Sequence, residues 1–311
     1  MALLIDTRST DWMGDAELRD LLAPLLPGVT VHCGPAMRPM PDVVMLATIG
    51  MKPGMVDHLP NLRLVQKLGA GVETMLSDPA LPPHIRIARL EPTVQAAEMA
   101  EYALAYALLH MRKIQGYLTD QAGAVWAPKP PRRAAETRVS VLGLGHIGAC
   151  TARLFRQNGF QVSGWSRTQK SLGGIACHAG VDGLRAALTS ADVVVAVLPS
   201  TPDTRGFVDA PMIANMKPGT LLINMGRGDL VVERDLLAAL DTGQLGGAVL
   251  DVFTHEPLPA KHPYWTQKGL IVTPHVSGWS VDDGLPDIAK NYHRLLAGNP
   301  LLREVDRKAG Y

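Results

Sequence analysis

Cysteine is scarce in this chain. Its three cysteines, Cys33, Cys150 and Cys177, lie far apart and match neither a metal-ligand spacing nor a disulfide framework. Their use suits a reducing compartment, and no metal is expected. An excess of charge of one sign is also missing. Thirty Lys and Arg stand against 29 Asp and Glu, a formal net charge of +1. With no run of basic residues suited to a phosphate backbone, nucleic acid is not an expected partner. Long apolar runs are absent too, so no bilayer-spanning helix is expected. The N-terminal "MALLIDTRST" reads as a short strand followed by polar residues, not as a basic segment leading into a signal core. Together these absences lead to the expectation of a soluble cytoplasmic protein.

What the chain does have is alternation. Its 311 residues suffice for two domains, each with its own core. Short apolar runs alternate with helical patterns, which argues for a parallel α/β architecture. Strand candidates in the first part are "ALLID", "VTVH", "DVVMLA", "LRLVQKL" and "IRIARL", with a helical pattern in "DAELRDLLAPLL". The longest helix candidate runs from Ala97 to about Gln115. Its small and apolar residues occupy more than one face, as in a helix buried against another element. The stretch Gly116–Glu136 then breaks the pattern with Pro, Gly and charge and reads as a linker or exposed arm. A second series follows: strand "RVSVLGL", helix "HIGACTARLFRQ", and strands "FQVSGWS", "DVVVAVLP" and "TLLINM". Helix "ERDLLAALDTG", strands "GGAVLDVF" and "LIVTPHV", and a helical segment at about Pro286 to Ala297 complete it.

In "VSVLGLGHIG", Gly143, Gly145 and Gly148 have the GxGxxG spacing directly after a strand and at the start of a helix. The first glycine permits a tight turn, the second lets backbone approach a pyrophosphate, and the third allows close helix–strand packing. The helix N-terminus offers N–H groups and partial positive charge to the phosphates. At the end of the next strand an NAD site usually carries an acid for the ribose 2′-hydroxyl. Here "VSGWSRTQK" has none from Trp165 to Lys170. Arg167 suits a 2′-phosphate, with Ser166 and Thr168 as hydroxyl donors, against the alternative of a solvated basic turn. NADPH is the favoured cofactor, with NADH possible.

In "LLINMGRGDLV" an apolar strand ends in Arg227 held between two glycines. By itself this reads either as a turn with a solvated arginine or as an arginine facing an anionic ligand. Glu256 in "VLDVFTHEP" and His275 in "LIVTPHVSG" stand at comparable places after the next two strands. Singly, each has an ordinary surface reading. Jointly, at strand ends where open α/β sheets place their ligands, they have an evident use. An arginine fork holds a carboxylate, a histidine passes a proton to a carbonyl oxygen, and a carboxylate orients the ring and keeps it protonated.

At this point the chain resembles the D-isomer-specific 2-hydroxyacid dehydrogenases, and most of all their glyoxylate/hydroxypyruvate reductase A branch. The resemblance rests on "KLGAGVETM", "GLGHIG", "WSRTQKS", "LPSTPDT", "NMGRGDLVVERDLLAALDTG", "LDVFTHEPLP", "TPHV" and "VDRKAGY", in that order. It implies two Rossmann/flavodoxin-like α/β domains with parallel sheets and an interdomain active-site cleft. Residues 1–98 plus 284–311 would form the substrate domain and 99–283 the dinucleotide-binding domain. It further implies NADPH-dependent reduction of glyoxylate or hydroxypyruvate, with Arg227 on the substrate carboxylate and Glu256–His275 handling the proton. Backbone N–H groups of Ala70, Gly71 and Val72 would meet that carboxylate. His146, Ile147, Leu198, Pro199 and Thr204 would line the cofactor, and Asp251 would lie near the nicotinamide or serve a structural role. Trp126 would sit in an arm that joins a homodimer and reaches the partner's active site, or pack within its own subunit. Trp279 departs from many relatives and leaves pocket size open, so a reductase of bulkier 2-oxo acids is the alternative enzyme. A dinucleotide-sensing binding protein is the alternative outside enzymes.

Overall fold

The computed structural model describes residues 1–7, 12–51, 54–307 and 310. They form two compact units, Met1–Val94 with Ser280–Tyr311, and Gln95–Trp279. In the first, β1 (Ala2–Ile5), α1 (Asp15–Leu22), β2 (Thr30–Cys33), β3 (Val43–Thr48), β4 (Leu64–Lys67), α2 (Glu73–Leu76) and β5 (Arg86–Ala88) follow one another. The five strands pair in parallel in the order β2-β1-β3-β4-β5. β1 and β3 are buried along their whole length, as parallel strands covered on both faces must be. Leu3 and Ile5 enter one core and Ala2 and Leu4 the other, so the two-residue period divides the strand between the sheet's faces.

The second unit contains α3 (Thr93–Met111, from Gln95 onward), α4 (Ile114–Ala122), β6 (Arg138–Leu142), α5 (His146–Gln157), β7 (Gln161–Ser166), β8 (Ala176–Ala179) and α6 (Gly180–Thr189). It continues through β9 (Val193–Ala196), α7 (Ala210–Ala214), β10 (Thr220–Asn224), α8 (Glu233–Asp241), β11 (Leu245–Leu250) and β12 (Leu270–Val272). Seven parallel strands lie in the order β12-β11-β10-β9-β6-β7-β8. β6 therefore has β7 on one side and β9 on the other, and the chain reverses direction across the sheet there. In open α/β sheets that switch point is where ligands bind, beyond the carboxyl ends of the strands.

The last helix, α9 (Leu285–Leu296), belongs to the first unit. Leu285, Ile288, Ala289, Tyr292 and Leu295 recur at helical spacing and bury one face against Leu18 and Leu22 of α1. Among the described residues, no helix is long and apolar enough to cross a membrane.

Several segments differ from what the sequence predicts. The helix expected to run to about Gln115 ends at Met111, and Lys113 takes a left-handed φ of 58° before α4 starts. The expected linker is thus partly helix. Its proline-rich remainder folds back on α4: the Tyr117 hydroxyl donates to the Lys129 carbonyl (3.0 Å) and accepts its N–H (2.9 Å), and the Lys129 ammonium pairs with Asp120. Gly116 and the nearby prolines read as breakers, but these tertiary bonds outweigh the local penalty. The sequence pattern also predicts no element where α2, β8, α6 and α7 form. β8 is a short, partly exposed edge strand without the continuous apolar run of its neighbours.

Asn291 is fully buried in α9. Its amide donates to Gln66 Oε1 (2.9 Å) and the Leu302 carbonyl (3.1 Å), and its oxygen accepts the Leu302 N–H (2.7 Å). Asn291→Ala strands these buried partners, at about 1–3 kcal/mol for each unsatisfied group. The urea midpoint should fall with the m-value unchanged; a midpoint within error of wild type would show that the network adds nothing.

Candidate active site

Three glycines after β6 divide their labour. Gly143 has φ +100°, and a Cβ there would stand 2.6 Å from the Val197 carbonyl oxygen. At Gly148 a Cβ would lie 1.7 Å from the Gly143 oxygen, so the glycine is needed for α5 to sit on its own strand. Gly145 differs, with nothing within 4 Å of its Cβ position. It caps α5 without a side-chain hydrogen bond, and the first helical turn, His146, Ile147 and Gly148, follows it. The N–H groups of a first turn have no acceptor inside the helix. Open space in front of such a turn suits a phosphate. On this criterion the loop fits a dinucleotide.

Beyond β7, the Ser166 hydroxyl donates to the Thr168 carbonyl (2.8 Å) and closes a turn that leaves Arg167 and Thr168 exposed. The turn is anchored by Trp165, which stacks on Phe207 (centroids 5.5 Å apart) and donates to the Gly180 carbonyl. Leu198 and Pro199 begin the loop that meets Gly143. Thr204 Oγ1 donates to the Pro199 carbonyl (2.6 Å) and accepts the Thr201 N–H (2.8 Å), so the loop closes on itself.

Arg227 follows the buried strand β10. The Asn224 amide donates to the Arg227 carbonyl (2.8 Å) and its oxygen accepts the Gly226 N–H (3.1 Å), which shapes the turn. Neither neighbouring glycine has a positive φ. Close approach explains them: a Cβ at Gly226 would stand 2.7 Å from the Leu198 oxygen, and one at Gly228 only 1.9 Å from the Phe253 carbonyl carbon. Arg227 is half-buried, and its Nη1 donates to the Gly226 carbonyl (2.6 Å).

Gly228 thereby brings the Arg227 turn against the segment that carries Glu256. Glu256 Oε1 accepts the Phe253 N–H (2.9 Å), and Oε2 lies 2.8 Å from His275 Nδ1. Burial by itself would raise the Glu256 pKa. The hydrogen bond and charge of His275, the Phe253 N–H and the Arg227 charge together hold it below the usual carboxylate value. Glu256 is thus ionised at neutral pH. With Nδ1 turned to Glu256, Nε2 is the ring nitrogen available to a ligand. Arg227, Glu256 and His275, expected from three separate motifs, form one electrostatic group.

Asp251 is wholly buried at the end of β11. Its Oδ1 accepts the Thr273 hydroxyl (2.6 Å) and the Val276 N–H (2.9 Å), and its Oδ2 accepts the Ser277 N–H (2.8 Å). Both oxygens thus bind the segment around His275. Sequence reasoning passed over Asn224, Thr273 and Asp229, whose signal was only adjacency to the motifs. Asp229 Oδ2 accepts the Ser200 hydroxyl (2.5 Å), which ties the Arg227 turn to the loop beginning at Leu198.

Ala70, Gly71 and Val72 belong to the other unit, between β4 and α2, where Val72 caps α2. The preceding Gly69 has φ +153°, and its carbonyl accepts the Leu90 N–H (3.1 Å). Trp126 is 96% exposed in the segment after α4.

A parallel sheet with a glycine loop at its switch point and an Arg–Glu–His group at neighbouring strand ends defines a dinucleotide-dependent oxidoreductase fold. Residues 104–277 match the family described as D-isomer specific 2-hydroxyacid dehydrogenase, NAD binding domain. The chain belongs to this D-isomer specific 2-hydroxyacid dehydrogenase family. It is 36% identical over 263 residues to glyoxylate/hydroxypyruvate reductase A of Serratia proteamaculans, covering 83% of this chain and 84% of that protein. Identity is also 36%, with the same coverage, to the protein of that name from Photorhabdus laumondii. Among solved structures it is similar to a D-isomer specific 2-hydroxyacid dehydrogenase from Xanthobacter autotrophicus in complex with NADPH and MES. The TM-score is 0.93 at 36% identity, over 100% of this chain and 99% of that one. It is likewise similar to an NADPH-dependent glyoxylate/hydroxypyruvate reductase from Sinorhizobium meliloti in complex with NADP and sulfate. There the TM-score is 0.92 at 32% identity, again over 100% and 99% of the two chains.

The glycines separate packing from binding. Gly148→Ala should lower the unfolding midpoint, because overpacking of this kind costs about 1–3 kcal/mol. Gly145→Ala should leave stability near wild type and weaken NADPH binding at least about tenfold, by filling space that backbone leaves to a phosphate. Thermal melts and fluorescence titration with NADPH check both; wild-type affinity in Gly145→Ala would remove the phosphate from this position.

Proposed function

We propose that the protein is an NADPH-dependent reductase of small 2-oxo acids, glyoxylate and hydroxypyruvate, in which Gln95–Trp279 binds the dinucleotide and the other unit serves the substrate. The observation that carries this reading is Glu256 Oε2 at 2.8 Å from His275 Nδ1, with the Arg227 charge acting on the same carboxylate. Gly143, Gly145 and Gly148, the first turn of α5 and the loop Leu198–Thr204 would hold the cofactor. Arg167 and Thr168 would take its 2′-phosphate, on the turn that the Ser166 hydroxyl closes. When bound, NADPH supplies the hydride that the carbonyl carbon of a 2-oxo acid accepts. The Arg227 fork binds and orients the carboxylate. His275 gives a proton from Nε2 to the carbonyl oxygen, completing the 2-hydroxy acid. Glu256 holds Nδ1 and stabilises the imidazolium, the form in which His275 acts as a general acid. Related enzymes of the reductase A type carry the same assignment in their names, which supports glyoxylate and hydroxypyruvate over bulkier 2-oxo acids.

We further propose a homodimer formed through α4 and the following arm, where Leu118, Val125 and Trp126 are exposed. Exposed apolar residues grouped in this way mark an interaction surface. The free state of all three cysteines supports a reducing, cytoplasmic setting.

The proton relay is tested by pH. The lowered Glu256 pKa means that this carboxylate's contribution to stability is present above its unfolded value and is lost as pH falls through its folded value. The relay itself fails at alkaline pH, where His275 has lost the proton that it must give. Glu256→Gln should move the alkaline limb of kcat/KM for glyoxylate to lower pH. An alkaline limb that stays in place would show that Glu256 does not act on His275.

Cofactor choice is tested separately. Arg167→Ala should raise the KM for NADPH by one to two decades, since a charge-assisted hydrogen bond contributes about 1.5–3 kcal/mol. The KM for NADH should hardly change. Equal losses for both cofactors would free Arg167 from this role. A panel of 2-oxo acids that includes phenylpyruvate sets the pocket size, and tight NADPH binding without turnover of any of them would point to a sensor.

A further inference from the structure

We infer that Tyr102 is a positioning residue for His275, acting through Thr273 and Asp251; the inference rests on the role proposed above for His275. His275 has a left-handed φ of 55°. A side chain other than glycine keeps such a conformation only where its surroundings over-determine it. Asp251 is that surrounding. Its carbonyl accepts the His275 N–H (2.9 Å), and its carboxylate binds the next two N–H groups, of Val276 and Ser277.

Beneath this clamp lies a directed chain. The Asp251 carboxylate receives donors on both oxygens, so it accepts from Thr273 rather than donating to it. The Thr273 hydroxyl has one proton, and Asp251 takes it. The Tyr102 hydroxyl lies 2.6 Å from Thr273 Oγ1 and must therefore be the donor there. Burial keeps the Tyr102 phenol protonated, and the Asp251 charge acts the same way against the opposing Thr273 bond. The chain from Tyr102 through Thr273 to Asp251 thus has one polarity throughout the working pH range.

Tyr102 lies on α3, which also holds the far end of the same segment. Glu98 Oε2 accepts the Trp279 N–H (2.7 Å), and a Cβ at Gly278 would stand 2.7 Å from Met99 Cγ. Helix α3 therefore fixes the segment at both ends, and the Tyr102 contact is the one that reaches the carboxylate under His275. The charged groups facing this assembly are Glu256 on the ring and Arg227 acting on Glu256; Tyr106, its ring 4.7 Å from that of Tyr102, is titratable but kept protonated by burial. Without the Tyr102 hydroxyl the clamp loosens, and His275 spends less time against Glu256.

Tyr102→Phe keeps the ring and removes only the hydroxyl. Two readouts follow in the full-length protein: the His275 imidazole titration by NMR, and the pH profile of kcat for glyoxylate with saturating NADPH. Tyr102→Phe should lower the titration midpoint and move the alkaline limb with it. It should reduce kcat about fivefold, roughly what one neutral hydrogen bond is worth, and leave the KM for NADPH unchanged. Thr273→Val should do the same, and the double variant should add nothing further, because both remove one chain. Thr273→Ser, which keeps the hydroxyl, should restore the midpoint. A wild-type midpoint in Tyr102→Phe, whatever its melting temperature, overturns the inference. His275→Ala separates the two levels. An active His275→Ala overturns the general-acid role and this inference together. An inactive one beside an unshifted Tyr102→Phe overturns the inference alone.

Discussion

At four positions around the carboxyl ends of the larger sheet, backbone meets backbone where a Cβ would otherwise stand. Gly143 lies against Val197, Gly148 against Gly143, Gly226 against Leu198, and Gly228 against Phe253 and Thr254. These approaches leave no room for a methyl group, so the loops after β6, β9, β10 and β11 lock edge to edge. The Arg–Glu–His group is a consequence. Arg227 acts on Glu256 because Gly228 lets its turn touch the strand exit that carries Glu256. A binding site needs such rigidity, since a shift of a fraction of an ångström in a supporting loop is passed on to the reacting groups.

Two carboxylates complete what the glycines begin. Asp251 is buried and spends both oxygens on the backbone and hydroxyl donors around His275, while Glu256 meets the ring. One sets the main chain and the other the side chain. Their environments separate their roles. Asp251 has no exposed surface, whereas Glu256 and His275 keep part of theirs. A histidine that exchanges protons with a ligand has to retain that access.

The amino-terminal ends of the same strands follow a different logic. Asp192, buried just before β9, accepts the Arg138 N–H (3.0 Å) and pairs with Lys217 (2.5 Å) and Arg132 (3.0 Å). Burial would raise its pKa, but these donors and cations more than compensate and hold it low. This carboxylate secures the entry ends of β6 and β9 and the segment before them. The division, with structural charge at the amino ends of the strands and chemistry at their carboxyl ends, follows from strands that all point the same way.

The sequence by itself determined the parallel α/β architecture, because runs such as Val193–Ala196 and residues 221–223 are continuously apolar and separated by helical spacing. It also placed the glycine loop, since spacing relative to a strand and helix is a local property. Arg227, Glu256 and His275 were legible as candidates because each follows a strand in a polar, glycine- or proline-marked turn. Other features needed the folded chain. The sequence could not say whether the glycines beside Arg227 serve a left-handed turn or a close approach, because the answer lies in Leu198 and Phe253. It did not reveal α4, whose helix is sustained by contacts with Lys129 that outweigh Gly116 and the prolines nearby. Nor did it single out Tyr102, Thr273 or Asp229, ordinary residues whose meaning comes from partners as distant as 171 positions along the chain. Periodicity and spacing are written locally, whereas the donor and acceptor of a buried hydrogen bond are paired only when the chain closes around them.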